Sequence, residues 1–220
     1  MPKRWTWPTQ EGYPLGLVAQ IDIADLQGMP GTNVLPPGGH LAFFYGFYDD
    51  TIRATPRSGA WTVQWYPPRT TLRRAPYPVW PADPGIPEVY SPTPIELFAM
   101  WSLPSSLAPA VAATGVDTAR YDDAQFAYET AIARRLGVEW PVHQLLGHAS
   151  GALQHDPAED FARERPQSPA IGSLRSLLQI DSDGHSTDFL WGDAGRLFFM
   201  IPSGDLDRHD FTHVWLDFQN

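Results

Sequence analysis

The chain contains no cysteine among its 220 residues. This absence excludes disulfide bonds, thiol nucleophiles and metal sites that use thiolates. Basic residues are also few, because 15 Lys and Arg stand against 25 Asp and Glu, for a formal net charge of −10. A nucleic-acid-binding surface must neutralise phosphates with basic side chains, so we expect no nucleic-acid partner. An acidic protein can still bind a basic protein partner.

Long apolar runs are absent as well. No window approaches the ~20 apolar residues that a membrane-spanning helix needs. No apolar run of the kind found in secretory signals follows the basic start MPKRWTWPTQEG. We therefore expect a cytoplasmic protein without a membrane partner. With 43% hydrophobic and 18% charged residues, the chain has the composition of a globular protein rather than a disordered one.

Proline and tryptophan are abundant instead, with 23 and 9 residues. Proline fixes turns and aromatic residues favour strands, so this composition predicts short strands joined by defined turns. We expect a β-rich α+β fold in which residues 1–220 form a single domain. The predicted strands are residues 15–23, 40–47, 61–66, 174–181, 195–201 and 211–218.

Two helices are predicted from local end signals. Thr93-Pro94-Ile95-Glu96 has the pattern of a capping box with Pro at the first helical position, which predicts a helix to about residue 103. A second helix is predicted from Asp122 to the residue before Gly137. The charged, Pro-flanked residues 157–169 are predicted to form a loop. The predicted apolar side of the second helix consists of Ala124, Tyr128, Ala131, Ile132 and Leu136.

One sequence motif occurs twice in the chain. Residues 20–22 and residues 179–181 both read Gln-Ile-Asp, and each copy continues through a turn to a glycine, Gly39 or Gly195, and an aromatic strand. Three strands cannot bury one apolar face alone, whereas two copies packed together can. We therefore predict two pseudo-symmetric antiparallel three-strand units, at about residues 15–66 and 174–218, with a helical insertion at about 93–137.

The paired Gln and Asp residues of the two copies have two interpretations. At the strand period both side chains point to the same face. In a structural interpretation, the Gln pairs with backbone groups and the Asp caps the turn after the strand. In a functional interpretation, Asp22 and Asp181 share a cleft in which carboxylates bind a cation or perform acid–base work.

The turn at residues 191–195 has its own expected geometry. Its sequence is Trp-Gly-Asp-Ala-Gly. Asp forms turns through bonds to nearby amides, and Gly tolerates a positive φ. We therefore expect Asp193 to bond backbone amides, and Gly192 or Gly195 to have a positive φ.

The remaining polar residues match no known catalytic or metal motif. His143, His148 and His155 are close in sequence, but their spacing matches no zinc pattern. On a strand, His209 and His213 would be too far apart to share a metal. The chain also has no Gly-x-Ser-x-Gly elbow, no phosphate-binding loop and no dinucleotide-binding glycine pattern. We expect no catalytic residues, no resident metal and no cofactor.

Six segments follow one another in a specific order: LGLVAQIDIADL, LPPGGHLAFFYG, HQLLGHASGALQHDP, SLLQIDSD, WGDAGRLFFMIPSGDL and DFTHVWLDFQ. In this order they resemble the YwqG-like family, a widespread bacterial family of unknown function. The resemblance covers about residues 10–220, although His148 stands where an aromatic residue is more usual and residues 67–94 form a Pro-rich insertion. The motif positions are Gln20, Asp22, Gln154, Gln179, Asp181, Trp191 and Asp193.

The resemblance implies a compact α+β protein and no established catalytic residue. Some relatives occur in toxin–immunity gene neighbourhoods, which implies a toxin-neutralising or regulatory role. The leading hypothesis is accordingly a protein-binding or regulatory module rather than an enzyme, and the surplus of Trp and Tyr suits an interface. Two alternatives stay open: a metal-dependent or acid–base hydrolase that uses the repeated carboxylates, and a protein with a small-molecule or peptide pocket between the copies.

Overall fold

The computed structural model describes residues 5–46, 60–76, 92–137, 143–149, 154–166, 168, 173–184 and 190–220. The chain divides into two compact units. Unit 1 comprises Met1–Ser91 and Asp205–Val214, and unit 2 comprises Pro92–Gly204 and Trp215–Asn220. The chain therefore leaves unit 1, forms most of unit 2, returns to unit 1 for one short segment and ends in unit 2.

Unit 1 is organised around a three-stranded antiparallel sheet in the order β3–β4–β5. Its central strand is buried, since Leu41, Ala42, Phe43 and Phe44 are each 0% exposed. A two-stranded pair precedes this sheet, and two 3-10 turns, Ile23–Leu26 and Thr32–Val34, follow β3. The strands of unit 1 are β1 Thr9–Gln10, β2 Tyr13–Pro14, β3 Gly16–Asp22, β4 His40–Tyr45 and β5 Trp61–Tyr66.

Unit 2 is organised around a four-stranded antiparallel sheet in the order β6–β7–β8–β9. Its strands are β6 Gln144–Leu145, β7 Leu174–Asp181, β8 Arg196–Pro202 and β9 Trp215–Gln219. In the described residues the helices are α1 Pro109–Ala112, α2 Thr118–Leu136, α3 Pro157–Glu164 and α4 Ser203–Asp207. Together with the sheet of unit 1, these elements make the fold α+β and rich in β structure, as predicted.

The predicted helix at residues 93–103 is wrong. The segment forms no regular element. Ile95, Phe98 and Trp101 would share one helical face, but they are 58%, 42% and 80% exposed. Because a helix of this length is marginal in water without a surface to pack on, its local capping signal is insufficient. The end of the segment is held by α2 instead, where the Tyr128 hydroxyl donates to the Trp101 carbonyl at 2.9 Å.

Helix α2 ends where the sequence predicts but starts earlier. Gly137 closes it with φ 68°, in the left-handed region that favours glycine. The N-cap is Asp117 rather than Asp122, and its carboxylate accepts from the Arg120 amide at 3.0 Å. The predicted apolar side is also wrong, because the buried residues are Gln125, Glu129 and Ala133.

Two further boundaries differ from the predictions. Residues 157–164, predicted as part of a loop, form α3, because Asp156 caps the helix by accepting from the Ala158 amide at 2.9 Å. The last strand starts at Trp215 rather than at residue 211. A turn precedes it, in which the Asp210 carboxylate accepts from the Thr212 amide at 3.0 Å.

The two large sheets share three local features. Strands β3 and β7 each have an irregular register two residues before their glutamine, between Leu17 and Ala19 in β3 and between Ser176 and Leu178 in β7. Each ends in an aspartate opposite a basic residue, as Asp22 is paired with His40 and Asp181 with Arg196. A glycine precedes β4 and β8. Gly39, before β4, lies against the Tyr66 carbonyl of β5, and Gly195, before β8, lies against the Gln219 carbonyl of β9.

We predict that Gly195→Ala destabilises the protein. A Cβ at this position would lie 2.5 Å from the Gln219 carbonyl oxygen and 2.8 Å from that of Trp191. Both are backbone atoms that cannot move without disturbing the sheet, so we expect an overpacking cost of about 1–3 kcal/mol in the free energy of unfolding. Chemical denaturation of the purified variant measures it.

Gly184→Ala is the matched control, since a Cβ there meets nothing within 4 Å. It should unfold at nearly the wild-type denaturant concentration. Equal stability of the Gly195 and Gly184 variants would contradict the close packing at Gly195.

Candidate functional site

The first Gln–Asp pair lies at the end of β3 in unit 1. Gln20 is exposed. Asp22 caps the 3-10 turn that follows, because its Oδ1 accepts from the Ala24 amide at 3.0 Å. Its Oδ2 lies 3.7 Å from Nδ1 of His40 on the neighbouring strand. Both oxygens of this carboxylate are therefore directed to groups of unit 1.

The second pair is buried in unit 2, where Gln179 is 1% and Asp181 4% exposed. The Asp181 carboxylate forms an ion pair with the Arg196 guanidinium across the strands. The backbone of Asp181 is held as well, since its carbonyl accepts from the Trp191 indole at 3.2 Å and its amide donates to Nδ1 of His143 at 3.3 Å. Trp191 thus lies against the end of β7.

The remaining motif positions lie around the C-terminal residue of unit 2. The Gln154 side chain donates to the Asn220 carbonyl, and the Asp193 amide donates to Asn220 Oδ1 at 2.6 Å. The expected bonds from the Asp193 carboxylate to backbone amides are not found among the described residues. The predicted positive φ occurs at Gly192, with φ 59°, and not at Gly195.

One face of the unit 2 sheet is polar and buried, which the sequence did not predict. The strand registers place Gln144, Gln179, Phe198 and Asp217 in one row, and Asp181, Arg196 and Gln219 in the next. Burial lowers the pKa of the Arg196 guanidinium, and the negative charge of Glu129 on α2 partly restores it. Glu129 is itself buried and accepts from the Gln125 side chain at 3.1 Å. The buried side of α2 is polar because it faces charged groups.

His155, Asp160 and Asp217 form a compact carboxylate–histidine cluster in unit 2, which we call the His155 cluster. Nε2 of His155 lies 3.0 Å from Asp160 Oδ2 and 3.3 Å from each oxygen of Asp217. One ligand atom from each residue fits within 4.8 Å of the others. Burial raises the pKa of the Asp217 carboxyl, and the bond from Gln219 and the charge of His155 lower it in part.

The packing of α3 on β9 brings the cluster together. Phe161 is 1% exposed and meets Trp215 edge-on, with ring centroids 5.9 Å apart. This contact places Asp160, the residue before Phe161, beside Asp217 on β9. Asp160 and Asp217 are far apart in sequence, and no spacing rule connects them. The sequence did contain one signal of α3: Asp156 followed by Pro157 is a typical helix start, and it lies at the beginning of the charged residues 157–169.

A second group with the same residue types lies in unit 1. Asp205, Asp210 and His213 also offer ligand atoms within 4.8 Å of one another. Its environment is more open, because the His213 side chain is 62% exposed. Asp205 is paired with Arg208, and Asp210 accepts from Thr212. Both carboxylates of this group are bonded to neighbouring residues, as Asp160 and Asp217 are bonded to Arg163 and Gln219, so exposure is what distinguishes the two groups.

The three histidines that are close in sequence do not form one site. Nε2 of His143 lies 3.8 Å from Asp183, whereas His155 faces Asp160 and Asp217. The contacts described for His148 are made by its backbone: its amide donates to the Ser102 hydroxyl at 2.9 Å, and its carbonyl accepts from the Gln144 side chain at 2.7 Å.

His209 and His213 do not lie on a strand, so the distance argued from strand geometry does not apply to them. They make different contacts. His209 packs edge-on against Trp65, with ring centroids 6.0 Å apart, and His213 contacts Asp205.

Exposed apolar side chains are concentrated in one stretch of unit 2. Of the seven large hydrophobic residues that are exposed in the described part of the chain, six lie within residues 95–126, which we call the exposed apolar segment. Trp101 and Phe126 are the most exposed, at 80% and 69%. The other four are Ile95, Phe98, Leu107 and Val116.

Unit 1 contains a groove of about 370 Å³. Its lining combines apolar residues, among them Ile23, Leu26 and Leu35, with the polar residues Gln27, Thr32, Asn33 and His209. It holds no carboxylate among its lining residues. The groove therefore offers space for an apolar group beside four polar side chains.

The chain is thus a β-rich α+β protein with a buried polar face in unit 2. It belongs to the family described as Domain of unknown function (DUF1963), whose model matches residues 1–219. No curated protein matches the chain. Among the described residues, no helix has the length and apolar character needed to cross a membrane.

We predict that His143 makes stability depend on pH. Its Nδ1 accepts from the Asp181 amide, and burial lowers its pKa although the charge of Asp183 opposes this. Between the lowered pKa and the usual value of about 6.5, the unfolded chain binds more protons than the folded one. Stability should therefore fall as the pH decreases through that window.

His143→Asn tests this expectation, because an amide oxygen can accept the same bond but does not titrate. Urea denaturation at several pH values from neutral to acid should give a flatter profile for the variant than for the wild type. An unchanged slope would show that His143 is not the group responsible.

Proposed function

We propose that the protein is a protein-binding module and that the exposed apolar segment is its binding surface. The observation that carries this proposal is the concentration of six exposed large apolar side chains within residues 95–126, with Trp101 80% exposed. Trp is among the residues that contribute most binding energy at protein interfaces. Clustered exposed apolar side chains commonly mark interaction sites.

The backbone under this segment is held in place by α2. The Tyr128 hydroxyl donates to the Trp101 carbonyl at 2.9 Å, and the Tyr121 hydroxyl donates to the Pro104 carbonyl at 2.8 Å. The side-chain amide of Gln125 donates to the Leu103 carbonyl at 3.4 Å. A surface that is ordered before binding loses less conformational entropy on association. Trp101 is therefore presented on a fixed backbone although it lies outside any helix or strand.

The charges of the segment indicate the chemistry of the partner. Glu96, Asp117, Asp122 and Asp123 are acidic, whereas Arg120 is the single basic residue between positions 95 and 126. The whole chain carries a formal net charge of −10. Complementary charge increases the association rate and selects among partners. We therefore propose a protein partner with an apolar pocket surrounded by basic residues, and no nucleic acid. A toxin neutralised in this way is one such partner.

The hydrolase alternative has less support. Asp22 caps a turn and faces His40, and Asp181 is paired with Arg196, so these carboxylates are occupied within their own units. A general base has to reach the proton that it removes. The pocket alternative has the groove of unit 1, whose lining combines apolar and polar side chains but holds no carboxylate.

We further infer that the two large sheets arose by duplication. The shared strand irregularity, the aspartate opposite a basic residue, and the glycine against a carbonyl support this inference. We propose that both units belong to one domain, because one family model spans residues 1–219. We also propose that the protein belongs to the YwqG-like members of the family and that it is located in the cytoplasm.

We predict that the double variant Trp101→Ala, Phe126→Ala loses partner binding but keeps its melting temperature, since both side chains are exposed. Leu190→Ala is the matched control, because Leu190 is 56% exposed but lies outside the segment. Tagged wild-type, double-variant and control proteins are used to capture partners from a lysate of the producing cells. A specific partner should be retained by the wild type and the control only.

The captured protein is then purified and titrated by calorimetry. We expect the double variant to bind at least about tenfold more weakly, and added salt to weaken the wild-type complex. Equal affinity of the double variant and the wild type would overturn the proposed surface.

A further inference from the structure

We infer that His155, Asp160 and Asp217 form a binding site for a divalent transition-metal cation in unit 2. Nε2 of His155 is 3.0 Å from one oxygen of Asp160 and 3.3 Å from both oxygens of Asp217. Ligand bonds to such a cation are about 2.0–2.2 Å long. Two ligands at that distance from one ion lie about 3 Å apart, which is the separation found in the cluster.

A simple hydrogen-bonded pair does not account for this geometry. Nε2 of an imidazole carries at most one hydrogen, whereas three carboxylate oxygens lie within 3.3 Å of it. Asp217 is 4% exposed, so water cannot compensate its charge as it would on the surface. A cation between the three side chains would balance the charge of both carboxylates and would accept the lone pair of a neutral imidazole.

The surroundings fix the three side chains in a way that suits ligands. The Gln219 side chain donates to Asp217 Oδ2 at 2.7 Å and to the His155 carbonyl at 3.0 Å. Gln219 is held in turn by the Gln154 amide, which donates to its Oε1 at 2.8 Å. Replacement of a residue that hydrogen-bonds to a metal ligand often lowers the metal affinity 10–100-fold.

The third ligand, Asp160, is oriented by another residue of α3. Arg163 forms an ion pair with Asp160 through Oδ1, so Oδ2 is left to face His155. The cluster therefore draws on the start of α3 and on β9, whose relative position is fixed by the contact of Phe161 with Trp215.

The donor set selects the kind of metal. One imidazole nitrogen and two carboxylates suit Zn²⁺ or Mn²⁺, whereas Ca²⁺ prefers six to eight oxygen ligands. Three protein ligands leave at least one coordination position for water or for a group of another molecule. This inference departs from the absence of a metal expected from the sequence, because no sequence pattern brings His155, Asp160 and Asp217 together.

The test uses the full chain, freed of metal by dialysis against a chelator that is then removed. Zn²⁺ and Mn²⁺ are each titrated by calorimetry, with Ca²⁺ for comparison. We expect one equivalent of Zn²⁺ or Mn²⁺ to bind at this site more tightly than Ca²⁺, and to raise the melting temperature. Asp217→Asn should weaken binding at least about 100-fold, and Gln219→Ala about 10–100-fold.

Asp210→Asn in the second group of unit 1 is the matched control, and it should leave this binding unchanged. Circular dichroism of the metal-free variants checks their folding. If Asp217→Asn does not fold, His155→Gln takes its place, since His155 is only partly buried. The inference would be overturned if neither Zn²⁺ nor Mn²⁺ binds. It would also be overturned if the Asp217 or His155 variant keeps the wild-type affinity, or if binding is lost only in the Asp210 variant.

Discussion

Each large sheet depends on a glycine that has no room for a side chain. Gly39 and Gly195 come directly before the central strands, and the carbonyls of Tyr66 and Gln219 occupy the space where a Cβ would lie. A one-residue slip of β8 against β9 would bring a residue with a Cβ into that space, as would a slip of β4 against β5 in one direction, so the close approach favours the observed register. The register in turn decides which residues face each other across the sheet, and so places Asp217 and Gln219 on the same face as Asp181.

The polar face of unit 2 follows from that register, and it divides the carboxylates into two groups. Asp181 faces Arg196 within the sheet, so its charge is balanced by a fixed partner. Asp217 lies at the edge strand, where α3 and the residues before it bring His155 and Asp160. A buried carboxylate without a guanidinium partner is costly unless another positive group approaches. The exposed apolar segment lies elsewhere in the sequence, so partner binding and cation binding need not involve the same residues.

The sequence predicted the strands better than the helices, and the reason is physical. The buried strands of residues 40–45 and 196–202 contain apolar runs whose pattern is local. The helix expected at residues 93–103 had good end signals but no surface to cover its apolar face. In α2, Gln125 and Glu129 are buried because charged and carbonyl groups from other elements meet them, which no helical period reveals. The His155 cluster was missed because it joins residues 155 and 217 through strand register and helix packing.

The path of the chain has a consequence for synthesis on the ribosome. Unit 1 is completed by Asp205–Val214, and the Trp61 indole on β5 donates to the Val214 carbonyl at 2.8 Å. These residues emerge after nearly all of unit 2 has been made. The first 91 residues therefore leave the ribosome long before their last native neighbours exist. Chaperones that bind exposed aromatic strands have their longest opportunity to act on β4 and β5 during that interval.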